Sequence, residues 1–156
     1  MSTPASFRKH PIHPMLVVFP IALWFASLVC DIIYHVGTLD LFWKTAAFYS
    51  MTGGVIGAVL AAIPGFIDYL SLRDHRAKKV ATIHMALNLV VVALFLFNLG
   101  LRYSGMPAGD LFPVALSVIG MVLLAISGWF GGALVYELGV GIDIPPEDRI
   151  KDRRVA

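Results

Sequence analysis

Residues 10–14 read His10-Pro11-Ile12-His13-Pro14 and lead directly into PMLVVFPIALWFASLVCDIIY, an apolar run that fills residues 14–34. The run is long enough to span a hydrocarbon core of about 30 Å, which takes about 20 helical residues. Three later stretches have the same character: Thr45–Ile67, Val80–Leu101 and Phe112–Tyr136. The sequence therefore predicts an all-α integral membrane four-helix bundle, with helices 1 to 4 at 14–34, 45–67, 80–101 and 112–136.

Composition supports a membrane protein. Of the 156 residues, 58% are hydrophobic and 14% are charged, and the mean hydropathy is +0.81. A soluble domain has about 25% charged residues. The first run also exceeds the core of a signal peptide, which has about 7–15 residues, so we expect it to remain in the protein. The segments outside the helices, 1–13 and 137–156, are predicted to be polar, and residues 1–9 to form a mobile tail.

Basic residues are sorted by side of the membrane. Ten of the twelve lysines and arginines precede helix 1, lie between helices 2 and 3, or follow helix 4, whereas Lys44 and Arg102 lie on the other side. The positive-inside rule therefore predicts cytoplasmic termini in a multi-pass protein of the bacterial inner membrane. We interpret the basic clusters as contacts with anionic lipid headgroups, not with nucleic acid. The single cysteine, Cys30, excludes disulfides and thiolate clusters within one chain.

A weak internal repeat relates the two halves of the chain. His13 aligns with His84, and Gly65 aligns with Gly132 at a slightly different offset. This pattern suggests two helical hairpins related by an axis along the membrane normal. The topology collects the starts of helices 1 and 3 and the ends of helices 2 and 4 on one side, so both histidines are expected in one cytoplasmic layer.

Three interpretations of this layer compete. In the first, haem b is bound by a pair of axial histidines beside two glycines that give the porphyrin room: His13, His84, Gly65 and Gly132. In the second, a transition-metal ion is bound by His10, His13, Asp68 and His84. In the third, the histidines and carboxylates form a proton-responsive network or a docking surface without a cofactor. The supporting residues are expected to be Tyr69, Asn88 and Tyr136.

Small residues on helix 2 support a different class of function. They recur every four positions, at Gly53, Gly57, Ala61 and Gly65, a spacing typical of close helix packing. The alternative hypothesis is therefore a non-enzymatic membrane subunit or scaffold whose small-residue faces bind a protein partner or a second copy. The sequence shows no Ser-His-Asp arrangement, phosphate-binding loop or paired-carboxylate site, which disfavours an enzyme.

These motifs together resemble a known family. They are His10–Pro14 leading to Phe19-Pro20, Asp31, Pro64–Tyr69, His84 with Asn88, and Gly131–Tyr136 followed by Gly139–Gly141. In combination they resemble the bacterial transmembrane family catalogued as domain of unknown function 2231, over roughly residues 10–141. The resemblance implies a four-helix membrane domain without an assigned activity. Because such domains also occur joined to redox modules such as Rieske-type iron–sulfur domains, it implies a role in electron transfer.

Overall fold

The structure is a computed structural model that describes residues 3–8, 10–38, 40–105 and 110–142. Within these ranges, four helical spans are long and apolar enough to cross a membrane: Ile12–Gly37, Leu41–Ser71, His75–Tyr103 and Phe112–Tyr136. The predicted all-α four-helix membrane bundle is confirmed. Most of the predicted C-terminal tail, residues 143–156, lies outside the described residues.

The first span is not one continuous helix. It consists of α1 (Ile12–Leu16), α2 (Val18–Ile33) and a π-helical turn (Tyr34–Thr38). The break at Val17 follows from Pro20, which has no N–H to donate to the Leu16 carbonyl and whose ring crowds that carbonyl.

Helices α3 (Leu41–Ser71) and α4 (His75–Tyr103) extend beyond the predicted apolar stretches. Each begins after an aspartate whose side chain accepts a backbone N–H of the first turn: Asp40 from Phe42 at 2.8 Å, and Asp74 from Ala77 at 2.7 Å. N-capping stabilises a helix regardless of hydropathy, so both helices continue into the polar boundary. The basic residues expected in a loop between helices 2 and 3 therefore lie largely in the first turns of α4.

Helix α5 (Phe112–Tyr136) has the predicted bounds. The chain leaves it through Gly139, whose φ of 63° is left-handed and whose N–H donates to the Val135 carbonyl at 3.2 Å. This αL motif favours glycine because other residues pay a steric penalty there.

The N-terminal segment folds back on the bundle. Strands β1 (Ser6–Phe7) and β2 (His10–Pro11) form a short antiparallel hairpin. Just before β1, the Ala5 N–H donates to Asp68 Oδ1 at 2.9 Å, near the end of α3. Residues 3–8, expected to be a mobile tail, contribute a strand to this hairpin, and a half-buried carboxylate accepts a hydrogen bond from their backbone.

Each long helix packs against two neighbours, and α2 and α4 are diagonal across the bundle. Both contact α3 and α5. The two diagonal helices meet through large side chains at the centre, where the rings of Trp24 and Phe95 stack with centroids 4.2 Å apart and planes 5° apart. Glycines make room for this stack, since a Cβ on Gly54 would lie 2.5 Å from the Trp24 ring and one on Gly120 would lie 2.7 Å from Phe95.

Candidate functional site

His13 lies in the first turn of α1 and reaches across to α3. Its Nδ1 lies 2.8 Å from the Ala61 carbonyl oxygen. The imidazole rests on Gly65, one helical turn after Ala61, where a Cβ would stand 2.6 Å from Nδ1. Only glycine at position 65 allows this approach without displacement of the ring. The side chain of His13 thus bonds to the backbone of a neighbouring helix.

His84 makes the corresponding contacts from α4 to α5. Its Nδ1 lies 2.8 Å from the Ser127 carbonyl oxygen, and the Ser127 hydroxyl lies 3.1 Å from the same nitrogen. The ring rests on Gly131, where a Cβ would stand 3.0 Å from Cε1. This glycine precedes the predicted Gly132 by one residue, and the Cβ position of Gly132 is open, with nothing within 4 Å.

The two imidazoles lie next to each other on the bundle axis. Their ring centroids are 6.3 Å apart and their planes are nearly perpendicular, at 87°. Because a carbonyl oxygen only accepts hydrogen bonds, the Nδ1 atom of each ring carries the proton. In a neutral imidazole with this tautomer, Nε2 carries a lone pair that can bind a metal or accept a hydrogen bond.

Asn88 distinguishes the two rings. Its amide nitrogen lies 2.9 Å from the His84 carbonyl oxygen and 3.1 Å from Nε2 of the same residue. The carbonyl requires a donor, which identifies the amide nitrogen as the atom facing His84. The lone pair on Nε2 of His84 therefore accepts a hydrogen bond from the Asn88 amide.

The other candidate residues surround this pair unevenly. His10 is exposed and its Nδ1 donates to the Arg8 carbonyl at 2.9 Å, so it lies outside the pair. Asp68 interacts electrostatically with His13, and it also accepts the hydrogen bond that holds the N-terminal hairpin.

The two predicted supporting tyrosines lie apart from the pair. Tyr69 bonds through its hydroxyl to Thr82 at 3.1 Å, and its ring centroid lies 3.7 Å from the Lys78 ammonium group. Tyr136 is 88% exposed and takes no part in the pair.

The predicted four-ligand metal set is not assembled. Across the described residues, no three histidine, cysteine, aspartate or glutamate side chains are grouped as metal ligands. His10 points away and Asp68 is engaged by a backbone amide. The structure thus brings together His13 and His84, with Gly65, Asn88 and the unpredicted Gly131 in direct contact with them.

A second polar cluster lies at the opposite end of the bundle. Asp31 and Arg102 form a two-point ion pair, with N–O distances of 2.8 and 2.6 Å and side chains that are only 5% and 8% exposed. Arg102 also donates from Nε to Asn98 Oδ1 at 3.0 Å, and the Asn98 amide donates to Ser117 Oγ at 2.9 Å. Sequence analysis did not pair these residues, although ionisable groups within apolar helices usually face one another.

The contacts between the first and third membrane spans follow the internal repeat of the chain. Asp31 and Arg102 are separated by 71 residues, and the same separation relates His13 to His84 and Trp24 to Phe95. It also relates Ser27, which donates to the Ala47 carbonyl at 2.8 Å, to Asn98, which donates to the Pro113 carbonyl at 2.8 Å. Equivalent positions of the first and third spans thus face each other along the axis.

Comparison with known proteins gives one match. No curated protein and no solved structure matches the chain. Residues 9–144 match the model of a family described as predicted membrane protein (DUF2231). The matched range includes the four membrane spans found among the described residues, the histidine pair and the ion pair. The chain belongs to this DUF2231 family of predicted membrane proteins.

Proposed function

We propose that His13 and His84 together bind a metal centre, haem b in preference to a single transition-metal ion, and that the protein is a redox or electron-transfer module of the membrane. The observation that carries this proposal is the juxtaposition of two imidazoles, each hydrogen-bonded through Nδ1 to a carbonyl of the neighbouring helix. This is the usual support for histidine ligands, because it fixes the tautomer and directs Nε2 towards the metal.

The ring separation fits one shared ion. An ion about 2 Å from each Nε2, with the rings on opposite sides, places the ring centres about 6 Å apart. The observed centroid distance is 6.3 Å. The nearly perpendicular planes are compatible with this arrangement, since rotation of an imidazole about its metal–nitrogen bond leaves that bond length unchanged.

The number of ligands favours haem over an isolated ion. A single zinc or related ion takes three or four protein ligands, whereas the described residues bring only two such side chains together. The iron of haem receives four nitrogens from the porphyrin and takes only axial ligands from the protein. Gly65 and Gly131 make room for the imidazoles themselves, which differs from the predicted role of glycines as a porphyrin platform.

An optical spectrum of the detergent-purified protein, expressed with ample haem, tests this function. We expect a Soret band, and we expect His13→Ala and His84→Ala each to lose most of the bound haem. His10→Ala is the matched control, because His10 belongs to the same motif but is exposed and turned away. A haem content near zero in the unmodified protein contradicts the haem proposal, and elemental analysis of the same sample tests for a bound metal ion.

A second candidate is a membrane subunit that binds a partner through α5. Gly128 and Gly132 lie one turn apart with open Cβ positions, and Trp129 between them is 78% exposed. Gly57 on α3, by contrast, already packs against Pro20. Under this alternative, Gly128→Leu disrupts an assembly seen by crosslinking in membranes, while His13→Ala and His84→Ala leave it intact.

A further inference from the structure

We infer that the two histidines are unequal ligands, and that Asn88 determines whether the metal centre has one or two imidazole ligands. This inference rests on the proposed function and deepens it. His13 is the permanent ligand, whereas His84 binds only when it exchanges the Asn88 amide for the metal. The coordination position on the His84 side is therefore open for part of the time, as it is in sites that accept a small exogenous ligand.

At Nε2, Asn88 is the difference between the two halves of the repeat. Nδ1 of each histidine lies 2.8 Å from a carbonyl oxygen of the next helix, and each ring rests on a glycine one turn further along that helix. One turn after His84 stands Asn88, but one turn after His13 stands Val17, which has no polar side-chain atom. The backbone spacing is the same, since the Val17 N–H donates to the His13 carbonyl at 3.1 Å.

The contact of Asn88 competes directly with metal binding. A neutral imidazole has one lone pair, on Nε2 when Nδ1 is protonated, and the Asn88 amide lies 3.1 Å from it. A metal ligand at Nε2 displaces this hydrogen bond. A net hydrogen bond of ordinary strength changes an equilibrium by about tenfold, so the exchange shifts the balance between one and two imidazole ligands without abolishing haem binding.

The test compares the wild-type protein with Asn88→Leu and Val17→Asn, each reconstituted with ferric haem. Electron paramagnetic resonance gives the ratio of high-spin haem, with one imidazole, to low-spin haem, with two. We expect a measurable high-spin fraction in the wild type and a ratio about tenfold lower in Asn88→Leu. Val17→Asn, which places an amide beside His13, should raise the ratio. A ratio unchanged by Asn88→Leu, or a wild-type protein that is entirely low-spin, overturns the inference while the haem function stands.

A second measurement is independent of haem. In the haem-free protein, the ¹⁵N resonance of His84 Nε2 should shift in Asn88→Leu as its hydrogen bond is lost, while that of His13 Nε2 stays in place. If both resonances are unaffected, Asn88 does not hold His84 and the inference is overturned. If the His84 resonance shifts but no variant binds haem, the contact is supported and the haem function itself is contradicted.

Discussion

Asp31 and Arg102 occupy equivalent positions in the first and third membrane spans and form a two-point ion pair across the bundle axis. The histidine pair occupies the same axis at the other end, with the Trp24–Phe95 stack between them. Side chains of the first and third membrane spans thus meet at three levels along the axis. The other two pairs join similar side chains, a histidine with a histidine and an aromatic ring with an aromatic ring. The ion pair joins opposite charges, so at this level the two halves of the chain differ chemically.

Loss of one partner of this ion pair should be strongly destabilising. Arg102→Ala leaves the Asp31 carboxylate buried without its cation, and we expect a loss of about 3–5 kcal/mol in the free energy of unfolding. Thermal unfolding in detergent measures the effect. The control is the double variant Asp31→Leu with Arg102→Met, which removes both charges and should be much closer to the wild type. If Arg102→Ala unfolds at the wild-type temperature, the pair has no structural role.

The glycines beneath the imidazoles should be intolerant of a methyl group. Gly65→Ala places a Cβ 2.6 Å from Nδ1 of His13 and should break its bond to the Ala61 carbonyl, at a cost of about 1–3 kcal/mol in stability. Gly131→Ala, at 3.0 Å from His84, should have a smaller effect. Unfolding and haem content are the measurements. Gly132→Ala is the matched control, since its Cβ position is open, and an equal effect at position 132 would argue against the observed helix register.

Asp68 should hold the N-terminal hairpin on the bundle. Asp68→Ala removes the acceptor for the Ala5 N–H, which bonds to it at 2.9 Å, so hydrogen exchange at Ala5 should accelerate by tenfold or more, corresponding to about 1.4 kcal/mol or more. Asp68→Asn keeps an acceptor oxygen and should retain most of the protection. Exchange at Ala5 that is equally slow in Asp68→Ala would show that other contacts hold the hairpin.

The charge asymmetry predicts the orientation in the membrane. In a Cys30→Ser background, Ser71→Cys lies at the basic end of the bundle and Ser104→Cys at the other, both at exposed positions. A membrane-impermeant maleimide added to intact bacterial spheroplasts should label position 104 and spare position 71 until the membrane is opened. Labelling of position 71 in intact spheroplasts would reverse the proposed orientation.

The sequence was sufficient for the architecture because hydropathy is a local property. Four long apolar stretches require four spanning helices in lipid, and Pro20 requires a distortion one turn earlier wherever the helix packs. It also singled out His13, His84 and Asn88, because rare polar groups in apolar helices stand out. The helix ends were less accurate, since the caps at Asp40 and Asp74 extend α3 and α4 beyond the apolar segments.

Only the tertiary structure decided which side chains meet. The alignment of the two halves of the chain predicted that Gly132 lies beside His84. A shift of one residue along a helix rotates the side-chain direction by about 100°, and in the packed bundle Gly131 is the glycine that contacts His84. Likewise, the 71-residue offset that aligns His13 with His84 also aligns Asp31 with Arg102, but only the packing of the helices shows that these two side chains meet in an ion pair. Periodicity specifies the face on which a residue lies, whereas the rotation and depth of neighbouring helices, set by close packing of the whole bundle, specify its partner.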